Sequence, residues 1–250
     1  MSDLLIRNAT LVDGSGAPAR QADVSVTGGV IEEVGEKLVG RARRDIDADG
    51  LVLTPGFVDL HTHFDGQATW DGDLAPSVLH GVTTIAMGNC GVGFAPAASD
   101  RHDWLISLLE GVEDIPGTAL AEGLAWDWET FPDYLDALDR RSWTMDVGTH
   151  IPHSALRTYV MGERGADHES VPTEGELARM AQMVREALDA GAIGFATSRT
   201  EIHRTSGGEF IPTLTAPEVE LLAIADAMGE AGSGVVQLIS DLYQTNDEDF

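Results

Sequence analysis

Basic residues are scarce in this sequence, and the shortage argues against one class of partner. The 250 residues include 15 lysines and arginines against 42 aspartates and glutamates, which gives a formal net charge of -27. A surface this acidic repels a phosphate backbone, so nucleic acid is not an expected partner. Otherwise the acidity indicates only a well-solvated surface.

Long apolar runs and cysteine pairs are also missing. No apolar stretch approaches the roughly 20 residues that cross a bilayer, so a membrane is not an expected partner. The opening MSDLLIRNATLVDG lacks the basic and apolar segments of a secretory signal, which makes a cytoplasmic location the default expectation. The single cysteine, Cys90, has no partner for an intramolecular disulfide. Its thiol is therefore a buried packing group, a nucleophile or a metal ligand.

The pattern of the chain changes near residue 55. Residues 1–54 consist of short strand-like runs separated by glycine-containing turns, which predicts a small β unit. From 55 to 250, apolar runs alternate with helical sequence, which predicts an α/β fold with a parallel sheet. The five runs are FVDL (57–60), TTIAMG (83–88), MDVGTH (145–150), AIGFATS (192–198) and VVQLIS (235–240). An insertion at about 91–144 is predicted to hold two helices, which either shape a substrate site or pack as a surface subdomain.

Capping patterns predict the starts of two further helices. Thr173 and Glu176 have the T-x-x-E spacing of a capping box, and Gly191 marks the end of that helix. Thr215 and Glu218 repeat the spacing before the last apolar run. We therefore expect each threonine to cap a helix.

The stretch GFVDLHTHFDG, residues 56–66, ends an apolar run in two histidines. His61 and His63 are two residues apart, so on an extended strand their side chains leave on the same face. They follow FVDL, at the edge of a parallel sheet where active sites gather. We predict that both rings bind one cation. Asp59 and Asp65 either orient these imidazoles or are ordinary turn and surface residues.

Cys90 occupies the matching position after the second run, in TTIAMGNCGVG. A thiolate is a strong zinc ligand, and from this position it would face the histidine pair. An inert buried thiol is the alternative. Together with His61 and His63, its position favours a metal site.

Other polar residues near the strand ends are candidate substrate ligands. Arg199 and His203 follow the fourth run, and a guanidinium pairs well with a substrate carboxylate. A solvated loop explains these two residues equally well. His153 opens HSALR after the third run, where it either lines the mouth of the sheet or forms packing and loop hydrogen bonds.

The segment PGFVDLHTHFDG, followed by GVTTIAMGNCGVGFAP, resembles the amidohydrolase superfamily, specifically its D-aminoacylase (N-acyl-D-amino-acid deacylase) branch. HSALRTYVMG (153–162) and ALDAGAIGFATS (187–198) are similar to the same branch, so the resemblance extends over the whole chain. It implies a (β/α)₈ TIM-type barrel preceded by a small β-sandwich over residues 1–54. Since about five barrel strands are counted instead of eight, we expect an incomplete barrel, the N-terminal portion of a longer enzyme.

The resemblance also implies an activity. The expected enzyme depends on one or two zinc ions and cleaves the linear amide of a small N-acyl amino acid by metal-activated attack of water on the acyl carbonyl. Cys90 would replace the carboxylated lysine of other branches, and the fourth run offers no lysine. That absence argues against the alternative of a cyclic amidase of the hydantoinase or dihydropyrimidinase type. The general acid/base aspartate is expected beyond residue 250, so the isolated chain is predicted to be inactive.

The fifth run departs from the family pattern. Where the family carries a metal-binding histidine, this sequence has Ser240 and Asp241. Asp241 is a candidate oxygen ligand. The alternatives are a helix-capping role for Asp241, a site that binds one metal fewer, or a site completed by residues after 250. A non-catalytic metal-binding or scaffold half-barrel remains the alternative to an enzyme.

Overall fold

The computed structural model describes residues 1–241. The chain divides into two compact units, Met1–Phe57 and a second unit that begins at Val58. Among the described residues, no helix has both the length and the apolar character needed to cross a membrane. The segment YQTNDEDF at 243–250 lies outside the described residues.

The first unit is a five-stranded mixed sheet. Its strands are β1 (Ser2–Leu11), β2 (Arg20–Thr27), β3 (Val30–Gly35), β4 (Ala42–Asp47) and β5 (Val52–Leu53). β1 pairs antiparallel with β2 and parallel with both β4 and β5, while β3 adds antiparallel to β2. Leu11, Ala22 and Val24 form its small buried core. All five described strands belong to one sheet, and the predicted β-sandwich is not confirmed.

The second unit is built on another five-stranded sheet, in the order β10-β9-β8-β7-β6. Its strands are β6 (Phe57–Asp59), β7 (Val82–Met87), β8 (Asp146–Pro152), β9 (Gly194–Arg199) and β10 (Val235–Ser240). The pairings from β7 through β10 are all parallel. Each of the five apolar runs forms a strand of this sheet, which confirms the α/β prediction.

Six helices accompany this sheet in the described residues. They are α1 (His102–Glu113), α2 (Gly117–Gly123), α3 (Phe131–Asp139), α4 (His153–Met161), α5 (Glu174–Ala190) and α6 (Glu218–Ala231). The insertion holds three of them, so the prediction of two helices is wrong. The extra helix is α2, whose seven residues begin and end in glycine and give too short a periodic signal.

The start and end of α5 follow the predicted capping chemistry. The Thr173 hydroxyl accepts a hydrogen bond from the Glu176 N–H, and the Glu176 carboxylate accepts one from the Thr173 N–H at 2.6 Å. Gly191 ends the helix in the left-handed conformation. The buried face of α5 consists of Met180, Met183, Val184, Ala187 and Leu188. Capping and apolar periodicity therefore define this helix locally.

The predicted capping box at α6 is wrong. The helix begins at Glu218, three residues later than Thr215, and Pro217 holds the cap position with extended backbone. The Thr215 hydroxyl instead donates to the His168 carbonyl oxygen at 2.7 Å. A partner distant in sequence thus takes the hydroxyl that the local pattern assigned to the helix.

Candidate metal centre

His61, His63 and Cys90 come together at the carboxyl ends of two neighbouring strands, and we call these three side chains the His-His-Cys cluster. One nitrogen or sulfur atom from each lies within 4.8 Å of the other two. The Cys90 Sγ is 3.2 Å from the His61 Nε2 and 3.7 Å from the His63 Nε2. The two histidines follow β6 and the cysteine follows β7.

The position of Thr62 explains why the His61 and His63 rings project from the same side of the chain. It is buried between them, and both its N–H and its hydroxyl donate to the Ala86 carbonyl oxygen, at 3.0 and 2.8 Å. The Asn89 amide also donates to the carbonyl oxygens of Thr62 and Ala86. With Thr62 directed toward β7, the alternation of an extended chain turns His61 and His63 to the opposite side.

Cys90 is held in an uncommon backbone conformation. It lies in a tight turn, Asn89–Gly91, with φ of 56°, in the left-handed region that non-glycine residues seldom occupy. Its N–H donates to the Gln237 side-chain oxygen at 2.9 Å. Strain of this kind clusters at functional sites, where the surrounding structure fixes it. The strained turn, held by a residue of β10, places the sulfur against the two rings.

The donor atoms fit a zinc ion. Typical Zn–S and Zn–N bonds of about 2.3 and 2.0–2.1 Å at a tetrahedral angle separate sulfur from nitrogen by about 3.5 Å. The two observed separations, 3.2 and 3.7 Å, bracket that value. Two imidazole nitrogens and one thiolate sulfur also form a donor set suited to zinc. Geometry and donor chemistry therefore both favour this metal.

Burial controls the protonation of the cluster. It raises the pKa of the Cys90 thiol to about 12, with the charges of Glu113 and Asp65 adding to the effect. Burial also lowers the pKa of His63 to about 3, assisted by two neighbouring histidines. In the absence of a cation the cluster thus holds a neutral thiol and a neutral His63 ring at pH 7. A divalent cation inverts the state of the thiol, because a coordinated thiol is deprotonated.

The two aspartates near the histidines have different roles. Asp59 accepts a hydrogen bond from the His61 backbone N–H at 3.2 Å, so it holds the main chain and not the ring. Asp65 is buried, and its Oδ2 has no hydrogen-bond partner within the described residues. Burial raises the pKa of Asp65 to about 8. Neither carboxylate forms a hydrogen bond with the imidazoles in the described part of the chain.

One residue beside the cluster has no counterpart in the sequence predictions. Glu113, the last residue of α1, brings its Oε1 to 3.0 Å from the His63 Nε2. It lines a cavity of about 320 Å³ together with His61, His63, Gln67 and Ser77. In the sequence, Glu113 is recognisable only as an acidic residue at the end of an amphipathic helix in the insertion, and this pattern by itself does not indicate a functional site.

Neither Asp241 nor His203 belongs to the group of donor atoms within 4.8 Å of one another, although His203 is near enough to help lower the pKa of His63. Both Asp241 carboxylate oxygens accept hydrogen bonds, one from the Thr200 hydroxyl at 2.5 Å and the other from the Glu201 N–H at 2.8 Å. The His203 Nδ1 is 2.9 Å from the Ser198 hydroxyl oxygen. His203 is half-buried, as is Arg199 at the end of β9. Asp241 lies outside the group of potential ligands.

His153 belongs to a buried polar network. Its side chain is 0% exposed, with Nδ1 at 2.8 Å from the Thr197 hydroxyl and Nε2 at 2.9 Å from the Glu220 carboxylate. Burial lowers the pKa of His153, so the neutral ring donates from Nε2 to Glu220 and accepts at Nδ1 from Thr197. Because both nitrogens are occupied by protein groups, we do not retain His153 as a substrate ligand.

Gly88, just before the cysteine turn, supports a stability prediction. Its φ is 78°, and a Cβ there would lie 2.3 Å from the His150 carbonyl oxygen. Gly88→Ala should therefore lower the free energy of unfolding by about 2–3 kcal/mol through strain and overlap. Urea denaturation measures this change. Gly175→Ala is the control, because its Cβ meets open space. Equal midpoints for the two variants would refute the prediction.

The parallel sheet and the site together define a class: an α/β protein whose strand ends carry a potential metal centre. Its family follows from comparison with known proteins. Residues 44–250 match the amidohydrolase family, and the chain belongs to it. Within that family its relatives place it in the D-aminoacylase branch. The sequence resemblance is confirmed.

Two relatives come from Alcaligenes xylosoxydans xylosoxydans. Its D-aminoacylase is 37% identical over 195 residues, which cover 78% of this chain and 37% of the relative. Its N-acyl-D-aspartate deacylase is 34% identical over 233 residues, which cover 93% of this chain and 42% of the relative. The chain thus spans less than half the length of either relative.

Solved structures show the same likeness. A D-aminoacylase, described as having a binuclear metal center, is 32% identical and superposes with a TM-score of 0.75 over 94% of this chain and 44% of its own. The N-acyl-D-glutamate deacylase of Bordetella bronchiseptica, in complex with zinc and a phosphonate inhibitor, gives 0.74 at 30% identity over 95% of this chain and 44% of its own. The parallel sheet is therefore a curled half-barrel of the amidohydrolase type.

Proposed function

We propose that this protein acts as a zinc-dependent hydrolase of small N-acyl-D-amino acids, with His61, His63 and Cys90 as metal ligands. The convergence of these three donors at the ends of β6 and β7 is the observation that carries the proposal. The names of the relatives supply the substrate class. The reaction cleaves a linear amide, a carbon–nitrogen bond other than a peptide bond.

Each part of the site has a proposed task. Bound zinc supplies Lewis acidity, which activates water and polarises an acyl carbonyl. Thr62 and Asn89 hold the histidine segment against β7, so the ligand atoms stay in place. Arg199 and His203, after β9, are proposed to bind the substrate carboxylate, because a guanidinium pairs with it in a bidentate manner. We place the general acid/base aspartate beyond residue 250, since the relatives are more than twice as long as the part this chain matches.

The alternatives have weaker support. A hydantoinase superposes with a TM-score of 0.51 at 18% identity, which shows a shared fold only. The end of β9, GFATSR, contains no lysine to be carboxylated. A purely structural metal site would not require a strained cysteine turn beside an open cavity.

Substrate selectivity tests the proposed activity. The complete polypeptide that contains these residues, loaded with zinc, should hydrolyse N-acetyl-D-amino acids at least about tenfold faster than their L enantiomers, a difference of about 1.4 kcal/mol in transition-state binding. Removal of zinc with a chelator should abolish the reaction, and zinc should restore it. Release of the free amine, followed by chromatography, measures the rates. Turnover of hydantoins without turnover of linear amides would favour the cyclic amidase.

A further inference from the structure

We infer that Glu113 contributes a fourth donor, a carboxylate oxygen, to the cation bound by the His-His-Cys cluster. The inference rests on the proposed function, because it requires a cation at the cluster. Glu113 belongs to the insertion, whereas the three donors of the His-His-Cys cluster follow the ends of β6 and β7.

The first argument is position. The Glu113 Oε1 is 3.0 Å from the His63 Nε2, the same nitrogen that lies 3.7 Å from the Cys90 Sγ. Glu113 and both histidines also line one cavity. Its carboxylate therefore lies beside one of the three donor atoms, the His63 Nε2, although the group of donors within 4.8 Å of one another comprises only His61, His63 and Cys90.

The second argument concerns the proton on His63. In the metal-free protein, Nε2 can donate a hydrogen bond to Glu113. A metal bound at Nε2 displaces that proton, because only the deprotonated nitrogen is a ligand. The carboxylate oxygen, 3.0 Å from this nitrogen, would then lose the hydrogen bond that it can accept in the metal-free protein. A cation bound at the His63 nitrogen gives the carboxylate a new partner.

The helix supplies a third, independent argument. Glu113 is at the C-terminal end of α1, where the helix dipole disfavours negative charge. The last turn contains no basic residue, and Asp114 follows as the cap. Within residues 1–241, the His63 ring is the one basic side chain that lies within 4.0 Å of the Glu113 carboxylate. An acid in this position is stabilised by a nearby cation.

Charge balance points the same way. A divalent cation with two neutral imidazoles and one thiolate retains one positive charge in a partly buried site. The Glu113 carboxylate neutralises it, and buried charges are stable when they are paired. Four protein donors also match the usual coordination number of zinc.

The experiment measures the affinity for zinc, by competition with a chromophoric chelator, in the full chain and in Glu113→Gln. The amide keeps the size of the side chain and removes the anionic donor, so we expect a dissociation constant at least about tenfold higher. The absorption spectrum of the Co²⁺-loaded protein should change as well, because the donor set around the metal differs. Glu113→Asp retains a carboxylate and should bind zinc more tightly than Glu113→Gln.

Asp114→Asn is the matched control, because it removes the same charge from the neighbouring exposed residue. Its zinc affinity should stay within about threefold of the parent, as for a weak exposed charge. If Glu113→Gln retained the parent affinity and Co²⁺ spectrum, the inference would fail while the proposed function stood. If the parent chain bound no zinc at all, both would fail.

Discussion

His61→Ala combined with His63→Ala should abolish stable zinc binding. The double variant removes two of the three cluster donors. Mutation of a residue that only hydrogen-bonds to a metal ligand typically costs about 10–100-fold in metal affinity, so the loss of two ligands should cost more. We expect about one zinc per parent chain after dialysis and less than about a tenth of that in the variant. Elemental analysis by mass spectrometry, with protein concentration from amino-acid analysis, measures the ratio.

The control for this experiment removes the same number of histidines elsewhere. His80 is exposed and His168 is half-buried, and neither belongs to the group of potential ligands. A His80→Ala and His168→Ala double variant should keep its zinc. Unchanged zinc content in the His61 and His63 variant would show that the metal binds at another place.

Glu220→Gln should produce the largest loss of stability. Glu220 forms an ion pair with Arg157 and a hydrogen bond with His153, and all three side chains are 0% exposed. Although burial opposes ionisation, the hydrogen bonds from His153 and Arg157 and the charge of Arg157 hold the pKa of Glu220 below its usual value. Its neutral replacement leaves the guanidinium buried without a counter-charge. The expected decrease in the free energy of unfolding is about 3–5 kcal/mol.

Glu218→Gln is the control, since this residue lies two residues away in the first turn of α6 with its side chain exposed. It should change the free energy of unfolding by less than about 1 kcal/mol. Combining Glu220→Gln with Arg157→Met should recover part of the lost stability, because no charge then remains unpaired. Identical urea midpoints for Glu220→Gln and the parent would contradict this account of the network.

The strands and the proximity of the three cluster residues were predictable because they depend on local pattern and strand order. Apolar runs identified β6 to β10, and the carboxyl ends of neighbouring parallel strands meet at one edge of the sheet. That rule brings His61 and His63 near Cys90 without knowledge of the loops. The cap of α5 was predictable for a similar reason, since its hydrogen bonds join residues three apart.

The remaining features depend on partners that are distant in sequence. Glu113 reaches His63 only because the insertion folds its first helix toward the cluster, and strand order does not determine that path. His153 looked like a residue of the sheet mouth, but Glu220 and Thr197 hold it in the interior. Thr215 had the spacing of a helix cap and bonds to a carbonyl of another segment instead.

The central claim is that imidazole nitrogen and thiolate sulfur bind one cation. X-ray absorption at the zinc K edge of the zinc-loaded protein reads these ligands directly. We expect one sulfur at about 2.3 Å with nitrogen or oxygen neighbours at about 2.0–2.2 Å, and loss of the sulfur contribution in Cys90→Ser. A zinc site surrounded only by nitrogen and oxygen in the parent protein would contradict the account.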